Sequence, residues 1–169
     1  MPETLFKKIS EDDKRDLYEL YCTLYRIKKC NSNLFSDIRL NAIFTNIMAN
    51  SWWGWHVIGI SHDAFQIYKS NNFRHPRGKL QRGHILMRIN TVREYFNNNK
   101  PLTLDTLFKQ FIKNDKTIIM TKEENRLKTP PKNFIKINNT HAKLFQNRHI
   151  GWKHGLEETE YLTNLSLTV

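Results

Sequence analysis

The chain has only two cysteines, six glycines and five prolines among its 169 residues, and no apolar run approaches 18 residues. Each shortage removes a class of protein. Low glycine and proline exclude fibrous and low-complexity chains. Cys22 and Cys30 lie eight apart in what reads as one helix, more than two turns and beyond disulfide reach. No CxxC pair occurs to build a zinc site. Without a long apolar run there is no candidate membrane-spanning helix. Residues 1–8 also lack the apolar core of a signal peptide, so a soluble, intracellular (cytoplasmic) protein with reduced thiols is expected. No Walker loop, GxGxxG or GxSxG is present, which leaves nucleotide-cofactor and serine-hydrolase readings without local support.

The most informative shortage is of negative charge. Residues 1–63 hold eight Lys/Arg and eight Asp/Glu, whereas residues 64–169 hold nineteen and eight and so carry the whole formal charge of +11. Two spans have no carboxylate, one between Asp63 and Glu94 and one between Glu124 and Glu157. Such segregation is the electrostatic footprint of a polyanion binder, and DNA, or RNA, is the expected partner. The first span supplies Arg74, Arg77, Lys79, Arg88 and Arg93 as phosphate contacts. The second supplies Arg148 and Lys153, with Trp152 to stack on a base.

What is present in quantity is apolar and aromatic: 39% hydrophobic residues, 12% aromatic. That is enough for one globular domain over residues 1–169, with 1–63 a neutral helical scaffold and 64–169 the basic part. The expected fold class is α+β, mostly helical with a few short strands. Ser10 and the acids Glu11, Asp12 and Asp13 open a helix over residues 10–30, and a second helix runs over about 33–50. His56 to Ile60 reads as a strand, followed by a Ser61-capped helix near 62–70. Residues 79–86 read as a strand, 91–98 as a helix capped by Asn90, and the segment after Thr103 as an amphipathic helix. Thr117 to Met120 is a strand, Thr121 and Glu124 are spaced as a capping box, and Pro130-Pro131 end any helix there quickly. Phe134 to Ile137 is a strand, residues 140–147 a short helix, and 157–165 a closing helix. Trp52, Trp53 and Trp55 read as core, with base stacking as the alternative.

Three constellations are candidates for chemistry. In Arg82-Gly83-His84, a histidine beside a strand can take a proton from a water attacking phosphorus, and an adjacent arginine can steady the charge on the phosphate. Gly83 would let the backbone approach a phosphodiester closely. The triplet resembles the core of the Asp-Arg-Gly-His motif of the ββα-metal nucleases, related to the HNH group, with Gln81 in place of the Asp. The resemblance covers these three residues. It implies His84 as general base and an Asn on a following helix holding a divalent metal, for which Asn90, Asn97 and Asn114 are nearest. The second constellation is Asp115, Lys122, Glu123 and Glu124 with Asn125, next to a strand, where the carboxylates can gather Mg2+; Asn90 is counted with Asp115, Glu123 and Glu124 as a metal ligand. No acid-x-Lys triplet comes after Asp115, so a PD-(D/E)xK arrangement fits poorly. The third is His149 and His154. On a helix their five-residue step is about 500°, which sets the rings about 140° apart, too far round to share a metal. In an irregular loop they could share one, with His141 as a further ligand, and phosphate or base contact is preferred there.

These features together lead to the expectation of a metal-dependent DNA endonuclease of restriction or homing type, using Mg2+ and of a size suited to a homodimer. The alternative is a non-catalytic nucleic-acid-binding protein, a regulator or phage-type accessory factor. A basic module for an acidic protein or membrane surface is a third reading, and the lack of a long basic amphipathic helix counts against the membrane version.

Overall fold

The computed structural model describes residues 7–31, 33–48, 53–127, 129–139, 143–146 and 151–168. Among them are seven helices and four strands: α1 (Glu11–Cys30), α2 (Asp37–Met48), β1 (His56–Ile60), α3 (His62–Ser70), β2 (Leu80–His84), α4 (Arg88–Asn97), α5 (Leu104–Asn114), β3 (Lys116–Thr121), α6 (Lys122–Arg126), β4 (Ile135–Lys136) and α7 (Leu156–Leu165). The class is the expected mostly helical α+β. Side-chain caps set several boundaries: Ser10 accepts from Asp13 N, Ser61 from Ala64 N, and Thr103 from Thr106 N. Thr121 and Glu124 form the reciprocal capping box of α6. Asn90 is no cap, because α4 starts earlier, at Arg88, behind Met87. The expected helix over 140–147 lies partly outside the described residues. Within it, Leu144 and Phe145 form a turn, with Phe145 at φ 53°.

The chain gathers into two compact units that interleave in sequence, residues 1–54 with 86–115, and residues 55–85 with 116–169. Among the described residues, the elements of the first are all helices. Its core joins Tyr21 and Leu24 of α1, Phe44 of α2, Tyr95 and Phe96 of α4, and Phe108 and Phe111 of α5, all buried. Edge-on ring pairs run through it, with Phe44 5.7 Å from Tyr95 and 5.9 Å from Phe111, a geometry that suits the aromatic quadrupole. Tyr21 donates to Tyr95 O at 3.0 Å and accepts from Leu102 N at 3.0 Å, and burial pushes its hydroxyl up to about 12.

The second unit is built on a sheet of order β2-β3-β1-β4. β1 runs parallel to β3, while β2 pairs antiparallel with β3 and β4 antiparallel with β1. β2 and β3 are hydrogen-bonded neighbours although residues 86–115 intervene as part of the helical unit. The bond from Ile85 N to Lys116 O (3.0 Å) closes the neck of that excursion. Val57, Ile60, Phe65, Tyr68, Ile119, Phe145, Trp152 and Leu162 form the core of this unit. Gly59 is required at its place in β1: a Cβ there would collide with the Phe134 ring and stand 2.9 Å from Ile135 O.

Candidate nucleic-acid interface

Side chains alternate across a strand, so Arg82 and His84 project from one face of β2 and Gln81 and Gly83 from the other. The neighbours agree. On the first face lies Trp55, its ring 4.8 Å from the Arg82 guanidinium and 4.5 Å from the His84 ring. Trp55 sits at φ 58°, an uncommon conformation for a bulky residue. Its carbonyl accepts from Thr117 Oγ1 at 3.1 Å. Arg82 Nη2 also donates to Gly151 O, which ties the second carboxylate-free span to the first.

The opposite face explains the glycine. A Cβ on Gly83 would stand 2.7 Å from Met120 Sδ and 2.8 Å from Asn125 Oδ1. The missing side chain makes room for β3 and α6 rather than for a phosphodiester. Asn125 Nδ2 donates to Gln81 Oε1 at 2.7 Å. Strand, strand and helix do succeed one another here, with an asparagine on the helix. That Asn125, however, lies across β2 from His84. Asn90, Asn97 and Asn114 belong to the helical unit.

The expected metal ligands are engaged elsewhere or stand apart. Asp115 Oδ1 accepts from Arg88 Nε at 2.8 Å and lies 2.7 Å from Nη2 in an ion pair, with side-chain exposures of 2% for Asp115 and 11% for Arg88. Burial lowers the Arg88 pKa and the Asp115 carboxylate beside it opposes that shift. Arg88 is therefore an internal ion-pair residue rather than a phosphate contact. Glu124 Oε2 accepts from Ser61 Oγ at 2.6 Å and from Thr121 N at 2.8 Å, whereas Glu123 is exposed. Asn90 lies in the first turn of α4. Among the described residues, no group of three or more His, Cys, Asp or Glu could hold a metal ion.

Three of the expected phosphate contacts fall in one loop. Arg74, Arg77 and Lys79 are all exposed in residues 71–79, between α3 and β2. The loop turns through left-handed residues at Asn72 (φ 50°), Phe73 (φ 56°) and Gly78 (φ 73°). Only Gly adopts that conformation freely, so Asn72 and Phe73 are held there by their surroundings. Phe73 N donates to Tyr68 O at 2.8 Å, and the Phe73 ring packs 5.9 Å from Phe65. His75 lies 5.1 Å from the Trp152 ring and stacks on His154 at 5.4 Å and 13°. Trp152 is 7% exposed, so its ring supports the loop from within and offers no open face to a base. Lys153 is half-buried, and Arg93 donates through Nε to Asp37 at 3.1 Å within the helical unit. Arg148, His149, His141 and Trp52 lie outside the described residues. His56 is a core histidine, its Nε2 2.6 Å from Asn139 O.

Fold and charge coincide. The helical unit holds thirteen Lys/Arg against ten Asp/Glu, and the sheet unit fourteen against six, so the latter carries +8 of the +11. Residues 64–85 and the whole span 125–156, far apart in the chain, both belong to it. A sequence scan could find both spans but not their meeting, which depends on His75, Trp152 and Arg82. No helix among the described residues is long and apolar enough to cross a membrane. No family model, curated protein or solved structure matches the chain.

Proposed function

We propose that this protein binds nucleic acid through its sheet unit, with Arg74, Arg77 and Lys79 contacting backbone phosphates and the Arg82–Trp55–His84 face of β2 lying alongside. The observation that carries this reading is the loop 71–79. It holds three exposed cations in six residues, and among the described residues no carboxylate lies within ion-pair distance of them. Like charges held so close repel one another, and a polyanion relieves that repulsion while its counterions are released. DNA is the expected form and RNA shares the same chemistry.

A second reading is phosphodiester hydrolysis with Mg2+, as in a restriction or homing endonuclease. Its support is that Arg82 and His84 share one face of β2 and meet the same ring, so a base and a charge-stabilising cation stand together. Incubating the protein with plasmid DNA, with and without Mg2+, separates the two. Retarded but intact DNA is expected from a binding protein. Metal-dependent cutting that His84→Ala abolishes, with binding retained, would favour the endonuclease. Neither retardation nor cutting at low salt would refute both.

A further inference from the structure

The loop that carries the cations is seated on two histidines that have no evident place in contacting a ligand. His154 lies between Tyr68, stacked at 5.3 Å and 16°, and His75, stacked at 5.4 Å and 13°. Its Nε2 bonds Phe73 O at 3.0 Å, so Nε2 carries the hydrogen and pins the left-handed residue at the start of the loop. His75 closes the stack from the loop side, with Trp152 at its edge. The Nδ1 atoms of both rings are buried and have no hydrogen-bond partner among the described residues. A second proton on either ring would therefore place an N–H in a dry contact with nothing to accept it, and a charge among aromatic faces.

We propose that His75 and His154 are positioning residues that hold the basic loop 71–79 against the sheet unit only while both are neutral, and that their protonation in mild acid releases it. With both rings charged, two cations would face each other at 5.4 Å. The groups around them do little to offset this. Arg77 adds positive charge beside His75, and Tyr68 faces His154 as a neutral hydroxyl. Among the described residues, Glu158 is the carboxylate that acts on His154, and it already accepts from Phe145 N at 3.1 Å and Gly155 N at 2.6 Å. Burial, the largest cause for both rings, holds both imidazoles below the ordinary 6.5; for His75 the neighbouring His154 and Arg77 lower it further. Histidine thus has its proton-sensitive range where the loop's seat is decided.

The affinity part of the test rests on the proposed nucleic-acid reading, while the structural part does not. Imidazole and backbone amide resonances of the free protein are tracked from pH 7.5 to 5.0. The amides of residues 71–79 are expected to move together with the His75 and His154 titrations, while those of β1 and β3 hold still. Rings that titrate with an unmoved loop would overturn the proposal, as would a loop that moves only together with the sheet. His75→Phe keeps a ring on His154 but cannot charge, so its loop should stay seated to lower pH. Binding of a duplex DNA at pH 7.5 and 5.5 then gives an opposing sign. Added histidine charge alone would make the wild type the tighter binder in acid. Release of the loop makes His75→Phe the tighter binder at pH 5.5, with a salt slope steeper by about 0.9 for each phosphate contact kept, and leaves the two equal at pH 7.5. A loop released on cue with DNA affinity unaffected would uphold the seat and refute the nucleic-acid reading instead.

Discussion

Replacing Arg74, Arg77 and Lys79 together by Ala tests the proposed interface most directly, because the size of the effect is fixed by the number of phosphates these side chains neutralise. Each neutralised phosphate on duplex DNA contributes about 0.9 to the slope of log K against log salt. Three fully engaged cations therefore account for a slope of about 2.7, and each contact for about 3.5-fold in affinity between roughly 50 and 200 mM salt. The three are exposed and carry no ion pair among the described residues, so their removal costs the fold little. The assay is anisotropy of a labelled duplex over a salt series, with Lys100→Ala and Lys113→Ala as controls. Those two are exposed cations of the helical unit, and the double change preserves the slope if the sheet unit makes the contacts. A triple variant whose slope matches the wild type, or controls that lower it equally, would refute the reasoning.

The same geometry sets three further outcomes. Asp115→Asn removes the negative charge that faces the Arg88 guanidinium in a nearly dry site and should destabilise by about 3–5 kcal/mol. Exchanging both residues for Met and Leu should recover most of that loss in denaturant melts, and a harmless Asp115→Asn would show the pair to be solvated. Gly83→Ala should cost about 1–3 kcal/mol by displacing Met120 and Asn125, yet leave DNA affinity of the folded protein unchanged. Lost affinity at full stability would return Gly83 to the role of phosphate approach. As for pH, the unfolded chain takes up protons on His75 and His154 first, because their folded pKa values are depressed. Stability should therefore fall as pH drops below 6.5 toward those folded values. Denaturation midpoints at pH 7.5 and 5.5 check the sign, and a higher midpoint in acid would contradict it.

Local chemistry made much of the fold legible in the chain. Ser10, Ser61, Thr103 and Thr121 each precede the residues they cap, and caps act over three positions. β1 and α3 begin and end where the pattern of His56 to Ile60 and the Ser61 signal place them. The spans without carboxylates are also plain in the sequence, since charge is a property of composition. What sequence order could not supply is contact over distance. β2 pairs with β3 across residues 86–115, and the chain gathers into two units that interleave in sequence. Arg88 reads as one more surface arginine until Asp115, twenty-seven residues on, is found beside it. Trp152 reads as a platform for a base until its burial against His75 shows it to be a support. Gly83 reads as an opening toward phosphate until Met120 and Asn125 fill the space. In each case residue type set what a side chain can do, and the tertiary neighbour, through burial and the partner it provides, decided which of those things it does.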